Sequence, residues 1–271
     1  MHDSKGMDCY IMIEDDFQGG TKDMGRVLFL ADLHGNYTAT LAMEEEIRKL
    51  QPDEIWFLGD AVGKGPSNDK TCDWVKSHCD HFLKGNWDEW VCHAYARKDQ
   101  PESEHRQYDA ELSFFWNQIG EERIQWLDSL EQEADLWISG MHFRIIHGRS
   151  IDSLYQGYDP DDLLRRGLLG SDKKTHYDGL ICADSHRPFI RGLHEGYVVN
   201  TGSVGNAVCR PRASALLVEG DFGAKDESPI YFTSIQIPYD NTREAEIARA
   251  TEGLPHVDAY IQEVLTGVYA R

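Results

Sequence analysis

A chain of 271 residues, 41% hydrophobic and 27% charged, has enough apolar material to bury a sizeable core and falls among ordinary globular proteins. Its formal charge of −20 argues against general binding to a nucleic-acid backbone, although a bound divalent cation can reverse that sign locally and admit a small anionic phosphate substrate. No apolar run reaches the ~18 residues of a membrane span, and the N-terminus lacks the basic start and apolar middle of a secretion signal.

Six cysteines lie scattered at 9, 72, 79, 92, 182 and 209 with no CxxC pair, a usage that suits reduced thiols and a cytoplasmic protein. Residues 1–23 are polar, contain Gly19-Gly20 and show little periodicity, so they read as a flexible lead-in, with Met24 a candidate start. From residue 24 onward a single domain is expected.

Residues 26–31 (RVLFLA) form a short apolar run, as a buried parallel strand should. Residues 36–50 carry Tyr37, Leu41, Met43, Ile47 and Leu50 near helical spacing, with Asn36 placed to cap the helix. A second strand is expected over 55–58 (IWFL), a helix over 67–78 and a third strand over 81–84. Strands alternating with helices predict βαβ units and a parallel sheet.

Residues 88–132 break this rhythm and read as helices rich in aromatics, among them Trp90, Tyr95, Tyr108, Phe114, Phe115, Trp116 and Trp126. The rings either pack these helices together or form a helical cap, over 89–134, with some of them facing a substrate. Buried strands are expected again at 143–146 and 179–182. Shorter runs at 189–193, 197–200, 213–219 and 230–237 predict antiparallel pairing in a second sheet. Residues 241–271 close the chain as one or two helices.

Five of the predicted strands run into a residue able to hold a metal. RVLFLA leads to Asp32 and His34, IWFLG to Asp60, HFLKG to Asn86, FRII to His147, and GLICA to Asp184 and His186. Open α/β sheets bind ligands outside the carboxyl ends of their strands. Each loop alone could be an ordinary Gly/Asp turn; five together point to one metal-binding rim. Asp, His and Asn donors without cysteine favour a hydrolytic centre over a structural zinc. A carboxylate such as Asp60 can bridge two ions, one on each oxygen.

These loops, D-L-H-G-N at 32–36, G-D-A-V-G-K-G-P at 59–66, G-N-W-D at 85–88, H-G at 147–148 and N-T-G-S-V-G at 200–205, resemble the calcineurin-like metallophosphoesterase superfamily. The branch they resemble most holds small bacterial phosphodiesterases and asymmetric diadenosine tetraphosphate hydrolases.

The resemblance implies an α/β fold, a four-layer αββα sandwich of two packed mixed sheets flanked by helices, with two divalent metal ions (Mn or Fe favoured, Zn or Mg as alternatives). It implies that Asp32, His34, Asp60 and His186 hold the first ion, and Asp60, Asn86, His147 and Asp184 the second. It further implies hydrolysis of a phosphodiester or phosphoanhydride, a nucleotide such as a dinucleoside polyphosphate. A serine/threonine protein phosphatase and a non-catalytic scaffold of the same fold are the alternatives.

Two positions depart from the family pattern. Asp184 stands where the family has a histidine ligand, and its harder oxygen tilts preference toward Mn or Mg. Trp87 stands where the family has the histidine presumed to protonate the leaving group, which indole cannot do. A phosphate leaving group, with a second pKa of about 6, tolerates that loss better than an alkoxide does. Trp87 is therefore expected either to face substrate or to pack beneath the helices while His93 or His105 supplies the proton. Arg149 is the expected phosphate clamp and, with Asp60, a catalytic residue. Lys64, Arg187, Arg210 and Arg212 are expected at the surface.

Overall fold

A computed structural model describes residues 24–148 and 161–270, and both the N-terminal 23 residues and Arg149 lie outside that range. Two five-stranded mixed sheets stack face to face. The first has the order β10-β9-β1-β2-β3 and the second β4-β5-β6-β8-β7.

In the first sheet, β1 (Gly25–Leu30), β2 (Glu54–Phe57) and β3 (His81–Phe82) run parallel, and β9 (Ala213–Gly220) and β10 (Tyr231–Ile237) add antiparallel on the other side of β1. In the second, β5 (Met141–Ile146), β6 (Gly179–Cys182) and β8 (Tyr197–Asn200) are parallel between antiparallel edges β4 (Glu133–Ile138) and β7 (Phe189–Gly192).

Side-chain alternation along each strand builds the layers. From β1, Val27 and Phe29 point between the sheets, where they join Leu216, Val218, Phe143, Ile145, Ile181 and Val199. Leu28 and Leu30 point outward to a second core shared with α1 (Tyr37–Leu50), α2 (Asn68–His78), α3 (Asn86–Ala96), α4 (Asp109–Asp128, broken at Gly120), α6 (Asn241–Ala250) and α7 (Val257–Thr266). On the far face of the second sheet, Leu180, Cys182 and Val198 are covered by Leu164 of α5 (Asp161–Gly167) and by Leu168. The result is the expected αββα sandwich.

Two features differ from the sequence reading. Strands β9 and β10 return to the first sheet instead of extending the second, because β9 alternates apolar residues on both faces and is buried enough to sit next to β1. Strand β4 has no counterpart in the sequence pattern. Its Glu133, Asp135 and half-exposed neighbours mark an edge strand, whose pattern is weak beside the aromatic helices before it. The aromatic helices α3 and α4 share the apolar core of α1 and α2 through Val91, Cys92, Phe115 and Ile119.

Asn36 caps α1, its Oδ1 accepting from the Ala39 N–H at 2.9 Å, while its Nδ2 donates to the Gly205 carbonyl at 2.7 Å. The inter-sheet layer is the packing the whole sandwich rests on. Phe143 is fully buried there, opposite Gly179 on the neighbouring strand, where even a Cβ would lie 2.1 Å from the ring. Phe143→Ala is expected to destabilise the protein by about 3–5 kcal/mol, read as a lower urea midpoint with an unchanged slope.

Candidate metal centre

Each sequence-selected residue except Arg149 can be placed, and the structure brings all of them to one end of the sandwich. Asp32 and His34 follow β1, Asp60 follows β2, and Asn86 opens α3 after β3. From the second sheet His147 follows β5, and Asp184 and His186 follow β6. All seven are buried, at 0–8% exposure.

The backbone bends sharply to deliver them. Asp32, His34, Asp60, Asp184 and His186 all have positive φ, between 48° and 62°. That region costs a residue with a side chain about 1–2 kcal/mol, so five such residues in one cluster mark a functional strain. Two glycines make room: a Cβ on Gly85 would lie 2.0 Å from Asp60 Oδ1, and one on Gly63 (φ 99°) would lie 2.4 Å from the Trp87 ring.

The three imidazoles are oriented alike. His34 Nδ1 donates to the Val62 carbonyl at 3.0 Å, His147 Nδ1 to Leu58 at 2.9 Å and His186 Nδ1 to Asn206 at 2.5 Å. A carbonyl only accepts, so each proton sits on Nδ1 and each Nε2 faces inward, the arrangement that metal-ligating histidines adopt. Those Nε2 atoms stand 3.7, 3.8 and 3.3 Å from Asp32 Oδ1, while Asp60 Oδ2 lies 3.5 Å from His34 Nε2 and 3.4 Å from His147 Nε2. His34 and His186 face each other, Nε2 to Nε2, at 3.1 Å. Atoms held about 2.0–2.2 Å from one ion stand roughly 3–3.5 Å apart, the spacing seen here.

Both oxygens of Asp32 are buried and accept no hydrogen bond. A carboxylate in that position needs a cation. Two groups of donors could hold one: Asp32, His34 and His186, and Asp32, Asp60 and His147. Asp60, between His34 and His147, is placed to span them. Asp184 belongs to neither compact triad, but its Oδ1 is 3.6 Å from His147 Nε2.

Asn86 presents its amide to the same atoms, with Oδ1 2.9 Å from His147 Nε2. Turned over, that amide would donate to Asp60, His147 and Asp184 at 3.2, 2.9 and 3.1 Å. The amide thus has two uses: its NH₂ can satisfy the carboxylates alone, or its oxygen can meet an ion.

Electrostatics agree with an ion-binding cluster. Burial, then the charges of Lys64 and His186, hold the His34 imidazole well below its ordinary value and so neutral. Burial also pushes His147 down, but Asp60, Asp184 and Asp32 outweigh it and carry that imidazole well above the usual range. With no ion between them, these carboxylates draw a proton onto His147; a divalent cation would take its place.

Trp87 lies beside the cluster. Its backbone N–H donates to Asp60 Oδ1 at 2.8 Å, and its ring meets His34 edge-on, with centroids 5.9 Å apart. The ring also packs on Trp90 and Phe115, at 5.5 and 5.8 Å. Of the two histidines considered as alternative acids, His93 lines a cavity of about 440 Å³ together with Trp87. His105 instead bonds to the Arg97 carbonyl. On the other side, Asn86 and His147 open onto a cavity of about 560 Å³ walled by Lys84, Glu89, Glu131 and Arg144.

Lys64 corrects an expectation: it is 3% exposed, with Nζ donating to Asn206 Oδ1 at 2.8 Å. Arg210 and Arg212 are exposed, as anticipated, and Arg187 is half-buried beside Asp184 and His186.

Sequence reasoning passed over Asp88 and Asn206. Asp88 is fully buried, and its carboxylate accepts from the N–H groups of Asp60, Ala61 and Gly85 at 2.8, 3.0 and 3.0 Å, fixing the loop that carries Asp60. Burial, then the Asp60 charge, push its carboxyl up to about 7. Asn206 supplies the carbonyl that orients His186. The available signal was its place one residue after the N-T-G-S-V-G motif. Asp88→Ala strands those donors and is expected to weaken Mn²⁺ binding about 10–100-fold. Isothermal titration checks this, and unchanged affinity would show that the loop keeps its shape without Asp88.

The chain matches the family described as calcineurin-like phosphoesterase over residues 25–222. Among solved structures it is similar to a metallophosphoesterase from Sphaerobacter thermophilus, at TM-score 0.66 and 21% identity, covering 90% of this chain and 99% of that one. It is similar also to a hypothetical protein from Pyrococcus horikoshii OT3, at TM-score 0.68 and 19% identity, covering 91% and 100%. At such identities the likeness is one of fold. No curated protein matches the chain. With the family match running from the first residue of β1 through β9, and the metal-donor cluster lying at the strand ends within it, the chain belongs to the calcineurin-like phosphoesterase family.

Proposed function

We propose that this protein is a hydrolase that holds two divalent ions and cleaves a phosphodiester or phosphoanhydride, that of a nucleotide such as a dinucleoside polyphosphate. One observation carries the reading: the Asp32 carboxylate is buried without a donor where three inward-facing imidazole nitrogens meet. In this reading Asp32, His34, Asp60 and His186 hold one ion, and Asp60, Asn86, His147 and Asp184 the other, with Asp60 between them. When bound, such a pair supplies a water of lowered pKa and neutralises charge on the attacked phosphoryl group.

The chain's own residues supply the rest. Three backbone carbonyls keep the imidazoles in the ligating tautomer, and Asp88 holds the Asp60 loop in place. Asp184, a carboxylate where the family pattern has histidine, tilts preference toward Mn or Mg over softer choices. Arg149 follows His147-Gly148 in the chain and is kept as the phosphate clamp. Trp87 offers no proton to a leaving group, which favours anhydrides over alkyl esters. The branch of bacterial phosphodiesterases and dinucleoside-polyphosphate hydrolases fits these features. Among the described cysteines all are free thiols, as a cytoplasmic protein would have.

Two outcomes test the reading. Asp32→Asn replaces a buried carboxylate whose oxygens accept no hydrogen bond, so the metal-free protein should become more stable, by about 1–3 kcal/mol. The rise in Tm that Mn²⁺ gives the wild type should vanish in the same variant. A fall in metal-free stability would show that Asp32 is already satisfied.

Asp60→Ala should cut turnover to background with circular dichroism unchanged. Turnover is measured on a dinucleoside polyphosphate, an aryl phosphodiester and a phosphopeptide, each with Mn, Fe, Zn and Mg. Activity on the phosphopeptide alone would make the protein a phosphatase, and no activity with any pair would make it a scaffold.

A further inference from the structure

We propose that the 440 Å³ cavity between α3 and α4 is a nucleoside subsite, taking the base of a nucleotide whose phosphates lie on the metal centre. The assignment rests on the proposed hydrolase reading and names its substrate class.

Adjacency to the metal centre is the first argument. Trp87 is a wall of the cavity, and its backbone N–H is bonded to Asp60 while its ring meets His34 edge-on. A molecule in the cavity therefore sits one indole away from the proposed ligands, on the side where the absent general acid would have stood.

The chemistry of the walls is the second. Trp87, Trp90, Tyr108 and Leu112 give flat apolar surface, and Trp87 and Trp90 stand 5.5 Å apart at an angle of 58°. Tyr108, also in the lining, is 61% exposed. An exposed ring beside an open cavity suits stacking on a planar ligand, since every base has a π-face. The volume falls in the 300–1,000 Å³ range usual for small-molecule sites.

Charge is the third. The protein carries −20, yet the two carboxylates of this wall, Asp109 and Glu111, are matched in number by two guanidiniums, Arg97 and Arg106. Asp109 accepts two hydrogen bonds from Arg97, at 2.8 and 2.6 Å, and Glu111 pairs with His256 at 3.1 Å. Arg106 lines the same cavity; its backbone N–H donates to Asp109 Oδ2 at 3.0 Å, while its guanidinium makes no ion pair with a carboxylate among the described residues. The wall is thus neutral to positive inside an acidic molecule, as an anionic ligand's organic end requires.

Adenosine, which carries no phosphate, is the probe. Titrated by calorimetry into the metal-free wild type, it should bind saturably, and Tyr108→Ala and Trp90→Ala should each weaken it about ten- to a hundredfold. Tyr108 is exposed, so its variant keeps the fold even if Trp90→Ala does not. In the metal-loaded enzyme, the KM for a dinucleoside polyphosphate should rise relative to the KM for pyrophosphate in the same variant. Adenosine that fails to saturate, or that binds both variants as it binds the wild type, overturns the subsite even if the wild type hydrolyses nucleotides. A wild type that binds adenosine as described yet hydrolyses no phosphate compound overturns the hydrolase reading and leaves the cavity assignment standing.

Discussion

The Asp32 carboxylate is the group on which the rest of the centre depends. It is fully buried, accepts no hydrogen bond and is surrounded by the Nε2 atoms of three histidines. Burying a carboxylate that no hydrogen-bond donor reaches is among the costlier things a fold can do. Around it the chain adds further cost, with five side chains held at positive φ. Loops of this kind persist only where the surrounding structure over-determines them. Here they are tied loop to loop: the Asp32 N–H donates to the Gly59 carbonyl, His34 N–H to Asp60, and Gly205 N–H to Asp32. The two apolar layers on either face of the first sheet offset the cost, which leaves a cation to supply the missing counter-charge.

The two-sheet arrangement explains why the donors converge. Parallel strands β1, β2 and β3 end on one side of the cluster, and parallel strands β5 and β6 end on the other. Neither sheet alone carries a complete set. The bond from His147 Nδ1 to the Leu58 carbonyl crosses from one sheet to the other, as does the approach of His186 to Asp32. Misregistered sheets would separate Asp32 from two of its imidazole neighbours. An ion bound only by the native state would in turn stabilise the sheet-to-sheet contact by mass action.

Much of this was legible in the sequence because β1, β2 and β6 end in buried, unbroken apolar runs, and β5 in Ile145-Ile146, each stopping at a polar residue. The same contrast exposed Asp32, Asp60, His147 and Asp184. What stayed hidden depends on partners far away in the chain. β9 carries no mark saying that it pairs with β1 instead of β8. Lys64 looks like a surface lysine until Asn206, 142 residues later, meets its Nζ. Asp88 looks like one more acid near a helix start, and only the folded chain shows the N–H groups of Asp60, Ala61, Val62 and Gly85 turned toward it. The capping role of Asn36 was readable because a cap needs only its own helix; its bond to Gly205 was not.

The segments beyond the family match also reach the centre, and the path can be followed. Residues after 222 supply β10, α6 and α7, and they close on the first loop through Tyr239, whose hydroxyl accepts from Asn36 at 3.2 Å. Glu244 of α6 accepts from Thr38 and from Tyr260, at 2.6 and 2.9 Å, which locks α1, α6 and α7 together. From α7, Glu263 accepts from Asn206 Nδ2 at 3.1 Å, with Lys64 Nζ 4.0 Å away. Asn206 in turn holds His186 by its carbonyl. A buried lysine is tolerable only with such partners, and here Asn206 and Glu263 hold it against the loop that follows Asp60. The C-terminal helices therefore do more than cover apolar surface: through Asn206 and Lys64 they set the position of a proposed metal ligand from outside the part of the chain that the family shares.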